Sequence, residues 1–148
     1  AKANGHYINS MLALQEALSC GYDEAMLLDN EGYVAEGSGE NIFVVRDGVI
    51  YTPDLTSALN GITRNTLFAL ASSQGIEIRE KRITRDEVYI ADEVFFTGTA
   101  AEVTPVREVD DRVIGNGGRG PVTEKLQTLY FDLVHGRLDM NPEWLTLV

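Results

Sequence analysis

Two strand-like runs, Asn41 to Arg46 and Val49 to Thr52, are separated only by Asp47-Gly48, a spacing that permits little besides a tight β-hairpin. A two-residue connection needs positive φ at its centre, and an Asp-Gly pair supplies it without steric cost. Upstream, the apolar run Ala25-Met26-Leu27-Leu28, the turn Asn30-Glu31-Gly32 and the return Tyr33-Val34-Ala35 predict a second hairpin. Further strands are expected over residues 76–80, 93–97 and 103–109, with a short one at Val113-Ile114.

Helical periodicity separates these strands. Residues 7–19 carry Ile8, Met11, Leu12, Leu14 and Leu18 at helical spacing and end near Gly21. A second amphipathic helix is expected over 62–73, with Ile62, Leu67, Phe68 and Leu70 as core candidates and Gly75 closing it. Thr84 followed three residues later by Glu87 is a capping-box pattern for a short helix. Pro121 opens a last helix bearing Val122, Leu126, Leu129, Tyr130, Leu133 and Val134. Hairpins without regular βαβ alternation indicate an α+β fold. The expected form is one domain whose mixed, hairpin-rich sheet, a pseudo-barrel, is flanked by helices.

The 148 residues suffice for one domain with its own core, and 44% hydrophobic with 24% charged residues is a globular balance. A net charge of −11 argues against a nucleic-acid or anionic-membrane partner, because either requires a basic patch. No apolar stretch reaches membrane-span length and no signal peptide is visible, so a cytoplasmic protein is expected. Cys20, at the end of an apolar helix, is expected in the core. His6 and His135 are too isolated for a metal site.

Several segments carry possible chemistry. Gly61-Ile62-Thr63 opens a helix, so it offers either an anion site built from free N–H groups and the Thr63 hydroxyl, or an ordinary helix start. Glu36, among Gly37 and Gly39, is either a carboxylate for a heteroaromatic nitrogen or a solvated hairpin residue. Glu40 and Asn41 read as turn residues bonding their own backbone. Lys2 becomes a nucleophile if desolvated, with Tyr7 five residues on; otherwise it is a solvated terminal charge. Thr97-Gly98-Thr99-Ala100-Ala101, where a strand ends, is either a turn or an anion-binding loop.

Together, Glu36-x-Ser38-x-x-Asn41-Ile42-Phe43, Ile50-x-Thr52 and Leu59-x-Gly61-Ile62-x-Arg64 resemble the signature of the class IV, fold-type IV pyridoxal-phosphate aminotransferases. Around it, Gly5-His6-Tyr7, Ala91-Asp92-Glu93-Val94-Phe95 and the run from Thr97 to Val106 resemble the branched-chain amino acid aminotransferases. D-amino acid aminotransferases and aminodeoxychorismate lyases share the signature but usually differ over Gly98 to Ala101, and they stand as alternatives.

This resemblance implies pyridoxal 5′-phosphate as cofactor, with Lys2 as the catalytic lysine bonded to it and moving the substrate proton. It further implies that Tyr7 bonds the phenolic oxygen, Glu36 the ring nitrogen, and that Leu59 packs on the ring face. Gly61, Ile62, Thr63 and Thr99 would hold the phosphate, while the Thr99 and Ala100 amides receive the substrate carboxylate. The implied partners are branched-chain L-amino acids, 2-oxoglutarate and further copies of the chain. Asn60 stands where a proline is common and His6 where an asparagine is common.

The same resemblance aligns the chain with the C-terminal, cofactor-binding half of such an enzyme. It implies that the N-terminal domain is absent or supplied as a separate chain, and that activity is impaired. A domain that folds and self-associates without activity is the remaining alternative.

Overall fold

A computed structural model describes residues 4–138 and Met140, with side chains from Tyr7 onward. Helix α1 (Asn4–Ser19) leads into the hairpin β1 (Met26–Leu28) and β2 (Val34–Gly37). An Asx turn closes that hairpin: Asp29 Oδ1 accepts the N–H groups of Glu31 and Tyr33, both at 2.9 Å. Strands β3 (Asn41–Arg46) and β4 (Val49–Thr52) form the expected Asp47-Gly48 hairpin, with φ of +51° and +77° at the two turn residues. Such a primed turn matches the twist of the strands it joins.

From β4 the chain crosses through α2 (Ile62–Ser73) to β5 (Ile78–Glu80), which lies parallel to β4. After the short α3 (Arg85–Tyr89), β6 (Glu93–Gly98) pairs antiparallel with β3 and then with β7 (Glu102–Val106). The five-stranded sheet has the order β5-β4-β3-β6-β7. The hairpin β8 (Glu108–Val109) and β9 (Arg112–Val113) precedes α4 (Pro121–Val134). This is the mixed, hairpin-rich α+β arrangement expected.

Strand β3 is central, and side chains alternate across it. Phe43 and Val45 join Leu67, Leu70, Phe95 and Leu126 in one core; Ile42 and Val44 join Val34, Ile83, Val88 and Val94 in another. Phe43 and Phe95 are cross-strand partners whose rings stack 5.1 Å apart. A strand covered on both faces needs no polar alternation, which explains the continuous run Ile42-Phe43-Val44-Val45.

The predicted capping box is present: Thr84 accepts from the Glu87 N–H, and the Glu87 carboxylate accepts from the Thr84 N–H. Four expectations are corrected. The strand predicted over 103–109 is interrupted at Arg107, because Asp110 and Asp111, both at positive φ, turn residues 108–109 back onto 112–113. Ile114 lies past β9 and is buried, with its N–H donating to the Arg107 carbonyl at 2.9 Å. Cys20 is exposed, since α1 has already ended and the chain turns there. Ile62 is 82% exposed, because the buried face of α2 runs through Thr63, Leu67 and Leu70 instead.

Helix α1 also exposes Ile8, Met11, Leu12 and Leu18. Among the described residues, no helix is long and apolar enough to cross a membrane.

Candidate active site

The ends of β2, β3 and β6, the loop over residues 53–61 and the first turn of α2 enclose a cavity of about 480 Å³. Of the residues singled out from the sequence, Tyr7, Glu36, Leu59, Gly61, Ile62, Thr63 and Thr99 all line it. Ala100, beside Thr99, is exposed in the β6–β7 turn and does not line the cavity. Lys2 lies outside the described residues.

Each wall has a local cause. Glu36 ends up here because β2 stops at Gly37 and the chain turns through residues 38–40 into β3. Gly37 and Gly98 allow this turn to sit close. A β-carbon on Gly37 would lie 2.7 Å from Glu40 Oε2, and one on Gly98 would lie 3.3 Å from the Gly39 carbonyl. The Glu36 carboxylate is half-buried and its Oε2 accepts the Leu59 N–H at 3.0 Å. Glu36 is thereby fixed to a loop 23 residues further along the chain.

That loop is held at both ends. At its start, the buried Arg64 donates from Nη2 to the Pro53 carbonyl at 3.2 Å and pairs with Glu80 on β5; its guanidinium lies 4.9 Å from the Phe68 ring centre. At its end, Asn41 Nδ2 donates to the Leu59 carbonyl at 2.7 Å. The Gly61 N–H donates to the same oxygen at 2.9 Å.

Gly61 is the N-cap of α2 and supplies no side-chain cap, so the amides of the first turn remain directed past it. Thr63, at the second helical position, is buried and lines the cavity. The positive end of the α2 dipole adds to these donors. The arrangement therefore offers donors suited to an anion and, separately, a carboxylate suited to a protonated nitrogen. Thr97 Oγ1 is buried at the same site with no hydrogen-bond partner among the described residues.

Sequence reasoning misses two of these features. Asn41 opens β3 as expected, but its side chain bonds a loop 18 residues away rather than its own backbone. Thr97 stands out only as part of a loop motif, although it lies directly across from Asn41 in the sheet. The strand pattern of β3 and β6 is the available signal, because cross-strand partners share a face.

The family described as amino-transferase class IV matches residues 2–109. The chain belongs to the class IV aminotransferases. Among this family's curated members, the branched-chain-amino-acid aminotransferase of Pseudomonas aeruginosa is 73% identical over 148 residues, covering 100% of this chain and 48% of that protein. The Escherichia coli K12 protein of the same name is 50% identical over 149 residues, again covering 100% and 48%. The chain thus spans about half the length of the curated relatives it matches.

Solved structures of class IV relatives superpose closely. The Escherichia coli branched-chain amino acid aminotransferase gives a TM-score of 0.96 at 49% identity, covering 99% of this chain and 50% of that one. The Thermobaculum terrenum enzyme of the same name, solved in its PLP-bound holo-form, gives 0.94 at 44% identity, covering 98% and 48%.

Proposed function

We propose that this chain is the cofactor-binding domain of an aminotransferase that exchanges amino groups between branched-chain L-amino acids and 2-oxoglutarate. One observation carries the reading. Glu36, Leu59, Gly61, Thr63 and Thr99, which resemble a pyridoxal-phosphate site in sequence, line one cavity. The names of the relatives support the choice of substrate.

The cavity residues fit pyridoxal 5′-phosphate. The uncapped first turn of α2, with the Thr63 hydroxyl, suits a phosphate group. Gly61 and Gly37 leave room where a β-carbon would strike Asn41 or Glu40. The Thr97 hydroxyl, without a partner among the described residues, marks the site as polar. When bound, the cofactor supplies an electron sink for the charge that develops at the substrate Cα.

The protein's own groups then have separate tasks. Glu36 keeps a proton on the ring nitrogen, and the Leu59 side chain packs on the ring face. The amides of Ile62 and Thr63, with Thr99, hold the phosphate, while Tyr7 donates its hydroxyl to the phenolic oxygen. Lys2 would serve as the acid–base group that moves the proton between the substrate Cα and C4′ of the cofactor. The amides of Thr99 and Ala100 receive the substrate carboxylate. We place the protein in the cytoplasm, as a homo-oligomer.

The test is an absorbance titration of the chain with pyridoxal phosphate, followed by borohydride and mass analysis. A stable adduct at Lys2 that Lys2→Ala abolishes is expected. No band, or an adduct that survives the substitution, would refute the reading. Transfer from L-leucine to 2-oxoglutarate, compared with D-alanine as donor, separates the branched-chain reading from the D-amino acid one.

A further inference from the structure

We infer that Asn41 is a positioning residue that fixes the Leu59 backbone and, through it, the Glu36 carboxylate; the inference deepens the site reading proposed above. Leu59 is gripped at both of its backbone groups. Its N–H donates to Glu36 Oε2 at 3.0 Å, and its carbonyl accepts from Asn41 Nδ2 at 2.7 Å. Residue 59 lies in a segment outside the strands, so these two side chains, with the Gly61 N–H on the same carbonyl, set its geometry.

The two grips come from different parts of the fold. Glu36 belongs to the two-stranded β1–β2 sheet, whereas Asn41 opens the central strand of the five-stranded sheet and is only 5% exposed. Asn41 is locked there by pairing with Thr97. Leu59 is therefore the joint through which the rigid sheet sets the height of Glu36.

Gly61 supports this assignment independently. Its φ of −74° and ψ of 145° are open to any residue, so backbone conformation does not require a glycine. What excludes a side chain is Asn41, whose Oδ1 occupies the space that a β-carbon would enter. With Nδ2 committed to the Leu59 carbonyl, Oδ1 must face Gly61. Adding a methyl group at Gly61 would thus push the Asn41 amide off Leu59 without touching Glu36.

The test compares Asn41→Asp, Asn41→Ala and Gly61→Ala with the parent chain. Asn41→Asp keeps the shape but removes the donor. Amide hydrogen exchange without cofactor is the first readout. The Leu59 N–H should exchange at least about tenfold faster in each variant, while Phe43 and Val44 stay within about twofold. Leu59 exchange unchanged in the variants would overturn the inference. If the Asn41 variants fail to fold, Gly61→Ala decides by the same measure.

The second readout is pyridoxal phosphate affinity in combination with Glu36→Gln. The losses from Asn41→Asp and Glu36→Gln should combine to less than their product, because both act through one bonded unit. Fully multiplicative losses would overturn the coupling to Glu36. Failure of the parent chain to bind pyridoxal phosphate would sink the proposed function, while the exchange measurement would still decide the role of Asn41.

Discussion

Glu93 and Thr123, thirty residues apart, are joined twice at one carboxylate oxygen: Glu93 Oε2 accepts the Thr123 N–H at 2.8 Å and its hydroxyl at 2.9 Å. The other oxygen accepts the Val122 N–H at 3.0 Å. A buried side chain of β6 thereby caps α4, whose own N-cap is the side-chain-less Gly120. Glu93→Ala should lower unfolding free energy by roughly 2–3 kcal/mol, since it leaves buried first-turn amides unpaired. A β-carbon on Gly120 would collide with the same carboxylate, so Gly120→Ala should destabilise as well and the double variant should cost less than the sum. Denaturant melts of the three variants check this.

The Thr97 hydroxyl leads to an opposite expectation. It is fully buried and finds no hydrogen-bond partner among the described residues. Removing an unpaired buried hydroxyl at constant shape is neutral or stabilising, by up to about 1 kcal/mol. The cofactor-free Thr97→Val variant should therefore melt no lower than the parent, and a clear drop in its midpoint would reveal a hidden partner.

Acid should loosen the β1–β2 hairpin. The N–H of Tyr33, then that of Glu31 and the Arg82 guanidinium, hold the Asp29 carboxyl below its ordinary value of 3.8, against an opposing effect of burial. A depressed carboxylate stabilises the fold fully above its unfolded value and loses that contribution as pH falls through the folded one. The Asp29-linked loss should therefore appear below about pH 4, in the range set by these values. Asp29→Asn should flatten that acid limb relative to the parent, as read from urea midpoints across pH 2.5–5, a window of roughly the width that linkage predicts.

Helix α2 separates two apolar residues that look alike in sequence. Ile62→Ala should change stability by less than about 0.5 kcal/mol, because the residue is 82% exposed. Leu67→Ala should cost about 2–5 kcal/mol, because Leu67 is fully enclosed between the sheet and the helices. Equal costs in a thermal melt would contradict the rotational setting of this helix.

Those two residues also show what is legible in the chain. Local chemistry is readable: Asp47-Gly48 announces its hairpin, and Thr84 with Glu87 announces its capping box. Rotation about a helix axis is not readable where the first turn faces a cavity. Ile62 has the right spacing for the core, but the site needs Thr63 inward. Arg107 reads as mid-strand because Glu108-Val109 has strand character, and only the positive φ at Asp110 and Asp111 redirects it. The cavity residues emerge from sequence through a motif; that Asn41 and Glu36 hold the same residue depends on contacts 18 and 23 residues long, which no local pattern encodes.

Those long closures set an order of events. The β3–β4 and β6–β7 hairpins join near neighbours and carry small loop-closure costs. Leu59, by contrast, can be gripped on both sides only once the two-stranded and five-stranded sheets have docked. The pocket is then completed only when those two sheets have met, and occupancy by a ligand reports that docking. A partly folded chain would keep its hairpins yet have nothing with which to hold its guest, so binding works as proofreading of the fold.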